Sequence, residues 1–380
     1  MSDPDVSWGE MKKKFFSKQL LAGLPLWKVL NDKRTLYSFE LESTARCNLD
    51  CRHCYINLPA GDLEAKKNEL SVEEITHIAG EATSLGAIWC LLTGGEPLLR
   101  KDFFAIYLAL KKKGLLVSIF TNATLVTPEH IRFFMKYPPR NIEITVYGIT
   151  RATYEEVTRK PGSYHAFRRG LDLLTEAGIP VTLKAMALRS NIHEMPEIIR
   201  FCRKSNAESF RFDPFLHLRY DGNPARNLEI IAERLSPEEV VALEKSYPPR
   251  FEALKKNCET LIHPDFKKVT SNRLFRCGIG DGNFCISYNG IFRFCSTLWH
   301  PDCVSDLRKG GVADAWNTLF GKVRSMESTR QEFTNNCRIC SIKNLCTWCP
   351  ANAYLETGQL DSLVDTFCRL AYAREKSLKN

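Results

Sequence analysis

Three cysteines, Cys47, Cys51 and Cys54, fall on one short stretch, RCNLDCRHCY. Thiolates spaced this way suit soft metals: zinc, copper(I) or an iron-sulfur cluster. A structural zinc site closes with four ligands, and His53 or a distant cysteine could supply the fourth. A four-iron cluster held by three thiolates would instead keep one iron open to a further ligand. On this stretch alone, zinc and iron-sulfur stay level. A second feature, LLTGGEPLLR, carries different chemistry. Gly94 and Gly95 let backbone approach a ligand closely, Glu96 offers a carboxylate to an ammonium, and Pro97 fixes the turn. Taken alone it is a tight turn with an exposed acid.

The chain holds 15 cysteines, and nine of them lie between Cys277 and Cys368. Seven of them read Cys277, twelve residues, Gly290, four residues, Cys295, then CRICSIKNLCTWC with Cys337, Cys340, Cys346 and Cys349, then Cys368, with Cys285 and Cys303 between. Paired CxxC spacings also occur in zinc ribbons. A chain this large does not depend on disulfides for a core, so clustered thiols point to metal binding.

The elements that must position these residues alternate from about residue 37 to 215. Apolar segments at Tyr37 to Glu42, Ala87 to Thr93, Leu116 to Thr121, Ile142 to Tyr147, Val181 to Leu188 and Ser209 to Phe215 read as strands, with amphipathic segments between them. Ser71 with Glu74 forms a capping box, Thr127-Pro128 opens a helix, and Gly114 and Gly178 sit where helices end. Six such units make an α/β fold, either a doubly wound sheet or a partial barrel, with ligands at the carboxyl ends of the strands. RCNLDCRHCY begins just beyond one such end, and GGEP follows the next strand.

The expected organisation is an N-terminal extension over 1–36, the strand-helix domain over 37–215, a polar bridge over 216–270 with a helix at Ser236-Pro237-Glu238-Glu239, and a small cysteine-rich domain over 271–380. An amphipathic helix over residues 8 to 22 would serve as a lid or a peptide-docking element. The formal charge of +9 is spread over short groups such as Lys12 to Lys14 and Lys111 to Lys113, without interleaved aromatics, which argues against a nucleic-acid surface. With no apolar run of membrane-spanning length and no leader, no membrane role is expected and the expected address is cytoplasmic.

The joint pattern, three cysteines spaced as in RCNLDCRHCY after the first strand and GGEP after the second, resembles the radical S-adenosylmethionine (SAM) enzymes. That resemblance implies a partial (β/α)6 TIM-like barrel with a 4Fe-4S cluster on Cys47, Cys51 and Cys54, whose open iron is chelated by SAM. Reductive cleavage then yields a 5′-deoxyadenosyl radical that takes a hydrogen atom from substrate. Glu96, with Gly94, Gly95 and Pro97, would hold the methionyl ammonium. His53 and Tyr55 would lie near the adenine, and Asn122 in FTNAT and Thr145 in ITVYG near the ribose and fourth-strand contacts. Tyr147 stands where relatives commonly have aspartate.

The C-terminal cysteines resemble the SPASM extension of the same superfamily, which holds two auxiliary 4Fe-4S clusters. Carried over, the first uses Cys277, Cys285, Cys295 and Cys349, and the second Cys337, Cys340, Cys346 and Cys368, making three clusters in all. Cys303 competes with Cys285 as a ligand. Cys90, Cys202, Cys258 and Cys303 otherwise read as small buried hydrophobes. Fully ligated auxiliary clusters would accept electrons and favour net oxidation of substrate: crosslinks, thioethers or dehydrogenation.

The resemblance implies a flavodoxin- or ferredoxin-type reductant and a peptide or protein substrate. A tetrapyrrole side chain is the alternative. A sulfatase-maturing activity is disfavoured because Ser296, not aspartate, follows Cys295. A non-enzymatic electron carrier would have no use for an acid in the GGEP turn. No general base can be named from the sequence.

Overall fold

The computed structural model describes residues 35–205, 212–261 and 271–379. The amphipathic segment at 8 to 22 lies outside them. Six parallel strands follow in chain order: β1 (Ser38–Glu42), β2 (Trp89–Thr93), β3 (Leu116–Thr121), β4 (Asn141–Val146), β5 (Val181–Met186) and β6 (Phe212–Asp213). Between them run α1 (Val72–Ser84), α2 (Phe103–Lys112), α3 (Pro128–Lys136), α4 (Arg151–Thr158), α5 (Ser163–Glu176) and α6 (Met195–Ser205). The fold is the expected mixed α/β barrel-like sheet of parallel strands.

Local chemistry explains the element ends. Ser71 and Glu74 close a reciprocal capping box on α1, with Ser71 N donating to Glu74 Oε2 at 2.7 Å. Thr127 caps α3, whose first residue is Pro128, and its box partner is His130 rather than an acid. Gly114 and Gly178 sit in left-handed backbone just past α2 and α5.

Each strand presents two unlike faces. Phe39 and Leu41, Cys90 and Leu92, Ile142, Ile144 and Val146, and Leu183 and Ala185 are buried in the main core, against helix residues such as Ile75, Ile78, Ile106 and Leu110. Each Phe, Leu, Ile or Val among them contributes roughly 1.5–3 kcal/mol on burial. The alternate positions, Glu40, Glu42, Thr93, Glu143, Thr145 and Lys184, give the other face a polar, charged lining.

Three further strands, β7 (Asn283–Ile286), β8 (Ile291–Arg293) and β9 (Val304–Asp306), extend the same sheet from the free edge of β1, in the order β9-β8-β7-β1-β2-β3-β4-β5-β6. β7 is parallel to β1, and β8 is antiparallel to both of its neighbours, β7 and β9. Residues assigned from sequence to the cysteine-rich domain therefore complete the barrel sheet. Their signal is short: NFCI and IFR flank the Asn289-Gly290 turn, and their pairing with β1 spans over two hundred positions of chain.

The bridge holds α7 (Pro224–Glu233) and α8 (Pro237–Ser246), the latter capped by the expected Ser236–Glu239 box. Beyond β9 come α9 (Pro350–Thr357) and α10 (Asp365–Lys379). The buried pair Arg374–Glu244, at 2.7 Å, fastens α10 to α8. Among the described residues, no helix is long and apolar enough to cross a membrane.

Candidate active site

The cysteine loop leaves β1 and folds back on itself where Arg46–Cys47 pairs with Leu58–Pro59. Its backbone polar groups need partners, and other segments supply them. Asp50 N donates to Thr158 O at 3.1 Å and Arg52 N to Val157 O at 3.2 Å. Three guanidinium groups, each rich in donors, take the carbonyls. Arg159 Nε donates to Asp50 O at 2.8 Å, and Arg226 Nη2 donates to Cys51 O at 3.0 Å and Asn57 Oδ1 at 3.2 Å. Arg219 Nη1 reaches Asn57 O at 3.1 Å, Asn57 Oδ1 at 3.2 Å and Cys54 O at 3.5 Å.

The GGEP turn presses on the start of this loop. Gly95 N donates to Thr44 O at 2.6 Å and Glu96 N to Arg46 O at 2.9 Å. A Cβ at Gly94, where φ is +139°, would stand 2.2 Å from Thr44 O, and one at Gly95 would stand 2.3 Å from Arg46 O. The glycines thus let two loops of the chain meet, which fixes Glu96 relative to the thiols. The Glu96 side chain is buried and accepts three hydrogen bonds: from Leu98 N at 3.0 Å, Thr121 Oγ1 at 2.8 Å and Asn122 N at 2.8 Å. Burial raises its pKa to about 7 against the pull of those donors. An ionised carboxylate has about four acceptor sites, so one direction on Oε2 is left for a cation.

Cys47, Cys51 and Cys54 lie on this one loop, Cys51 buried and the other two half-buried, and among the described residues no three such side chains close on a single metal ion. Burial, then repulsion from Glu96 and Cys54, pushes the Cys47 thiol up to about 12; burial and then Cys54 and Cys47 raise Cys51 well above the ordinary value. Leu49 N points at Cys47 Sγ at 3.4 Å, and Asn122 Nδ2 lies 3.8 Å from the same sulfur while donating to Asn48 Oδ1 at 3.0 Å. Donors aimed at the Cys47 sulfur favour its thiolate form, and three thiols on one loop are a soft donor set of the kind that takes a metal cluster.

His53 is buried beside Tyr147, ring centroids 5.1 Å apart, and its Nδ1 has no hydrogen-bond partner. Burial, helped by Arg226, lowers its pKa to about 4. Tyr55 turns toward the barrel lining: after burial, its phenol is raised by Glu42, Cys54 and Glu40. Thr145 is half-buried on the lining, in register with Lys184.

Burial and neighbouring thiols raise several of the C-terminal cysteines. Cys337, Cys340, Cys346 and Cys368 act on one another: burial and then Cys368, Cys346 and Cys340 push Cys337 up to about 12, and burial and then Cys340 raise Cys368. Cys349 is pushed up to about 11 by burial and, among charges, by Cys295 and Cys277. Trp348 N approaches Cys346 Sγ, and Asn352 N approaches Cys349 Sγ, each at 3.4 Å. Cys285 faces the barrel lining and donates to Glu40 Oε2 at 3.4 Å, whereas Cys303 packs against Met326.

Sequence reasoning missed the arginine clamp and an ion pair inside the barrel. Arg293 Nη2 lies 3.0 Å from Glu42 Oε1, both wholly or nearly buried, and its guanidinium stacks 3.7 Å over Trp299, which in turn stacks on Tyr220 at 4.0 Å. The basic groups in RYDGNPAR and IFRFC were the available signals, but a lone arginine in sequence gives no sign of which carbonyl it will meet.

A parallel barrel-like sheet with three thiols at the end of its first strand and a buried carboxylate at the end of its second defines the class. Residues 41–202 match the Radical SAM superfamily, and this part of the chain is a radical SAM domain. SAM binding and iron-sulfur chemistry are what that family match, over rather less than half of the chain, supports. It is 26% identical over 339 residues to the AdoMet-dependent heme synthase of Methanosarcina barkeri, covering 83% of this chain and 92% of that one. To the PqqA peptide cyclase of Rhizobium meliloti it is 27% identical over 190 residues, 50% of this chain and 49% of that one. In fold it is similar to Streptococcus suis SuiB bound to its precursor peptide SuiA, with a TM-score of 0.65 at 14% identity over 95% of this chain and 86% of that one.

Proposed function

We propose that Cys47, Cys51 and Cys54 hold a 4Fe-4S cluster whose open iron binds SAM, and that the enzyme oxidatively modifies a peptide. The observation that carries the cofactor assignment is the joining of the three thiols to Glu96 by the Gly94-Gly95 contact with Thr44 and Arg46. When bound, cluster and SAM together supply the 5′-deoxyadenosyl radical. The chain's own residues set where that happens. Glu96 in its ionised form takes the methionyl ammonium on the free side of Oε2. Asn122 is anchored by Asn48 and offers its polar edge beside Cys47. His53 and Tyr147 wall the loop off from water, while Arg159, Arg219 and Arg226 keep its carbonyls in place.

Substrate enters against the polar barrel lining of Glu40, Glu42, Tyr55, Glu143 and Lys184. Glu143 and Lys184, 3.5 Å apart, add an ion pair to that lining. The peptide reading draws support from the likeness to SuiB with its precursor peptide and to PqqA peptide cyclase. The likeness to the heme synthase, which covers 83% of this chain, favours a tetrapyrrole as the second reading. Cys337, Cys340, Cys346 and Cys368 form one auxiliary site, and Cys277, Cys295 and Cys349 the heart of another. A flavodoxin or ferredoxin would deliver the initiating electron.

The test is anaerobic incubation of reconstituted protein with dithionite and SAM, followed by co-expression with a short peptide encoded beside this gene and mass spectrometry of that peptide. The reading expects 5′-deoxyadenosine and a mass loss of about two hydrogens on the peptide. An unmodified peptide, alongside turnover of an iron porphyrin carrying propionates, would replace it with the second reading.

A further inference from the structure

The ion pair inside the barrel leaves hydrogen-bonding groups unmet. Arg293 Nη2 lies 3.0 Å from Glu42 Oε1, with the two side chains 0% and 3% exposed. Yet Nε and Nη1 of Arg293 and Oε2 of Glu42 are buried without a hydrogen-bond partner. Buried polar groups are nearly always paired, and a buried ion pair is favourable only when its remaining donors and acceptors are also met. The pair stands on the barrel-lining face. Glu42 closes β1, and Arg293 of β8 is in register with Cys285 of β7, itself in register with Glu40 of β1. Phe39, Phe284 and Phe292 stack on the opposite face. Trp299 covers one face of the guanidinium at 3.7 Å and stacks in turn on Tyr220 at 4.0 Å; both rings are only half-buried. Tyr220 follows Arg219, which donates to Asn57 O and Cys54 O. The stack thus connects the pair to the cysteine loop.

We infer that Arg293 and Glu42 read a neutral amide of the substrate: Nε or Nη1 of Arg293 donates to its carbonyl oxygen, and Oε2 of Glu42 accepts its N–H. Charge selects this ligand. The pair is neutral as a whole, so a carboxylate would be buried beside Glu42 and an ammonium beside Arg293, each leaving a net charge away from water. A neutral group that carries an acceptor and a donor side by side meets both edges. Two sources supply one: the primary amide of Asn or Gln, and a residue of an extended main chain, whose N–H and C=O point to the same side. A porphyrin propionate carries acceptors alone. Trp299 holds the guanidinium plane from one side and leaves its edge for the ligand. Both edges are closed to water in this conformation, so the half-buried Trp299 ring has to tilt for the amide to reach them. Arg293 is thereby a specificity-determining residue that favours a peptide.

This inference deepens the peptide reading above and rests on it. The experiment uses iron-loaded holoenzyme with SAM and follows, by fluorine NMR line broadening, trifluoroacetamide, N-trifluoroacetylglycine methylamide, N,N-dimethyltrifluoroacetamide and trifluoroacetate. Wild type should broaden the first or the second, and which of them it broadens assigns the source as a side-chain amide or an extended main chain. The dimethyl probe keeps the carbonyl but offers Glu42 no N–H, so it should bind roughly tenfold more weakly; trifluoroacetate should not bind. Arg293→Met, at the iron content of wild type, should lose the amide effect, and Arg293→Lys should recover part of it. Trifluoroacetate broadened more than either amide, a dimethyl probe bound as well as they are, or neither amide broadened at its solubility limit overturns the inference. So does equal broadening by wild type and Arg293→Met. Should Arg293→Met fail to fold, the probe series on wild type decides alone. Failure here leaves the peptide reading standing, because the mass of the co-expressed peptide decides that reading.

Discussion

Around Cys47, Cys51 and Cys54 the backbone is claimed from several directions, by Val157, Thr158, Arg159, Arg219 and Arg226. Around the cysteines beyond residue 271 the protein offers far less. Cys277 is exposed, and the backbone bonds of the segment 333–349 that carries four of the thiols are mostly short turns, with Arg338, Leu345, Cys346 and Trp348 also bonded to distant residues. The first region is held by backbone bonds from several distant segments, and in the second the backbone bonds are mostly local. That contrast matches their chemistry. A loop that must aim SAM at a substrate gains by being rigid before the cofactor binds, because a misplacement of about an ångström costs orders of magnitude in rate. A region that stores electrons needs its ligands only within reach of the cluster.

The sharpest break of the comparison is removal of the loop thiols. The triple variant Cys47→Ala, Cys51→Ala, Cys54→Ala should end 5′-deoxyadenosine formation outright and retain about eight irons. Iron analysis with chromatography of the nucleoside products checks both at once. Loss of all iron would mean that the cysteine-rich region cannot load without the loop, which would erase the distinction drawn above.

Much of the loop side was legible in the sequence, and its reasons are local. The spacing of Cys47, Cys51 and Cys54, the Ser71–Glu74 box and Gly114 after α2 depend on neighbours within a few positions. Glu96 was legible as an acid in a turn, but its bonds to Thr121 and Asn122 need the third strand in place. What stayed hidden is long-range. Cys285 reads in sequence as one more cysteine between Cys277 and Cys295, and only the pairing of β7 with β1 turns it toward Glu40. The same pairing placed β7 to β9 in the barrel sheet rather than in a separate unit. Arg219 and Arg226 gave no signal because a guanidinium finds its acceptors in space, far from them in the chain.

Arg219 offers the next largest effect. Its side chain is 3% exposed and divides its donors between Asp221 and the carbonyl of Asn57. Arg219→Met keeps the aliphatic stem and removes the donors, leaving loop carbonyls unpaired at a cost of about 2–3 kcal/mol. The clamp account expects a lower melting temperature and loss of iron from the loop cluster alone, with the auxiliary EPR signals intact. Equal loss from all clusters would place the arginine's effect on the whole fold rather than on the loop.

The smallest effect asks whether the two regions unfold as one body. Ser71 caps α1 in the barrel and Ser236 caps α8 in the bridge, each through the same reciprocal box with a glutamate three residues on. Replacing either serine by alanine should cost about 1 kcal/mol, which in a chain of this size is a fall of about 1–2 °C in Tm. Because β7 to β9 extend the barrel sheet and Arg374–Glu244 fastens α10 to α8, a single transition should move by the same amount in both variants, read by calorimetry on the holoenzyme. A second transition, moved by Ser236→Ala and untouched by Ser71→Ala, would show that the shared sheet does not carry cooperativity across β1. The cysteine-rich region would then gain its stability from its clusters and not from the barrel.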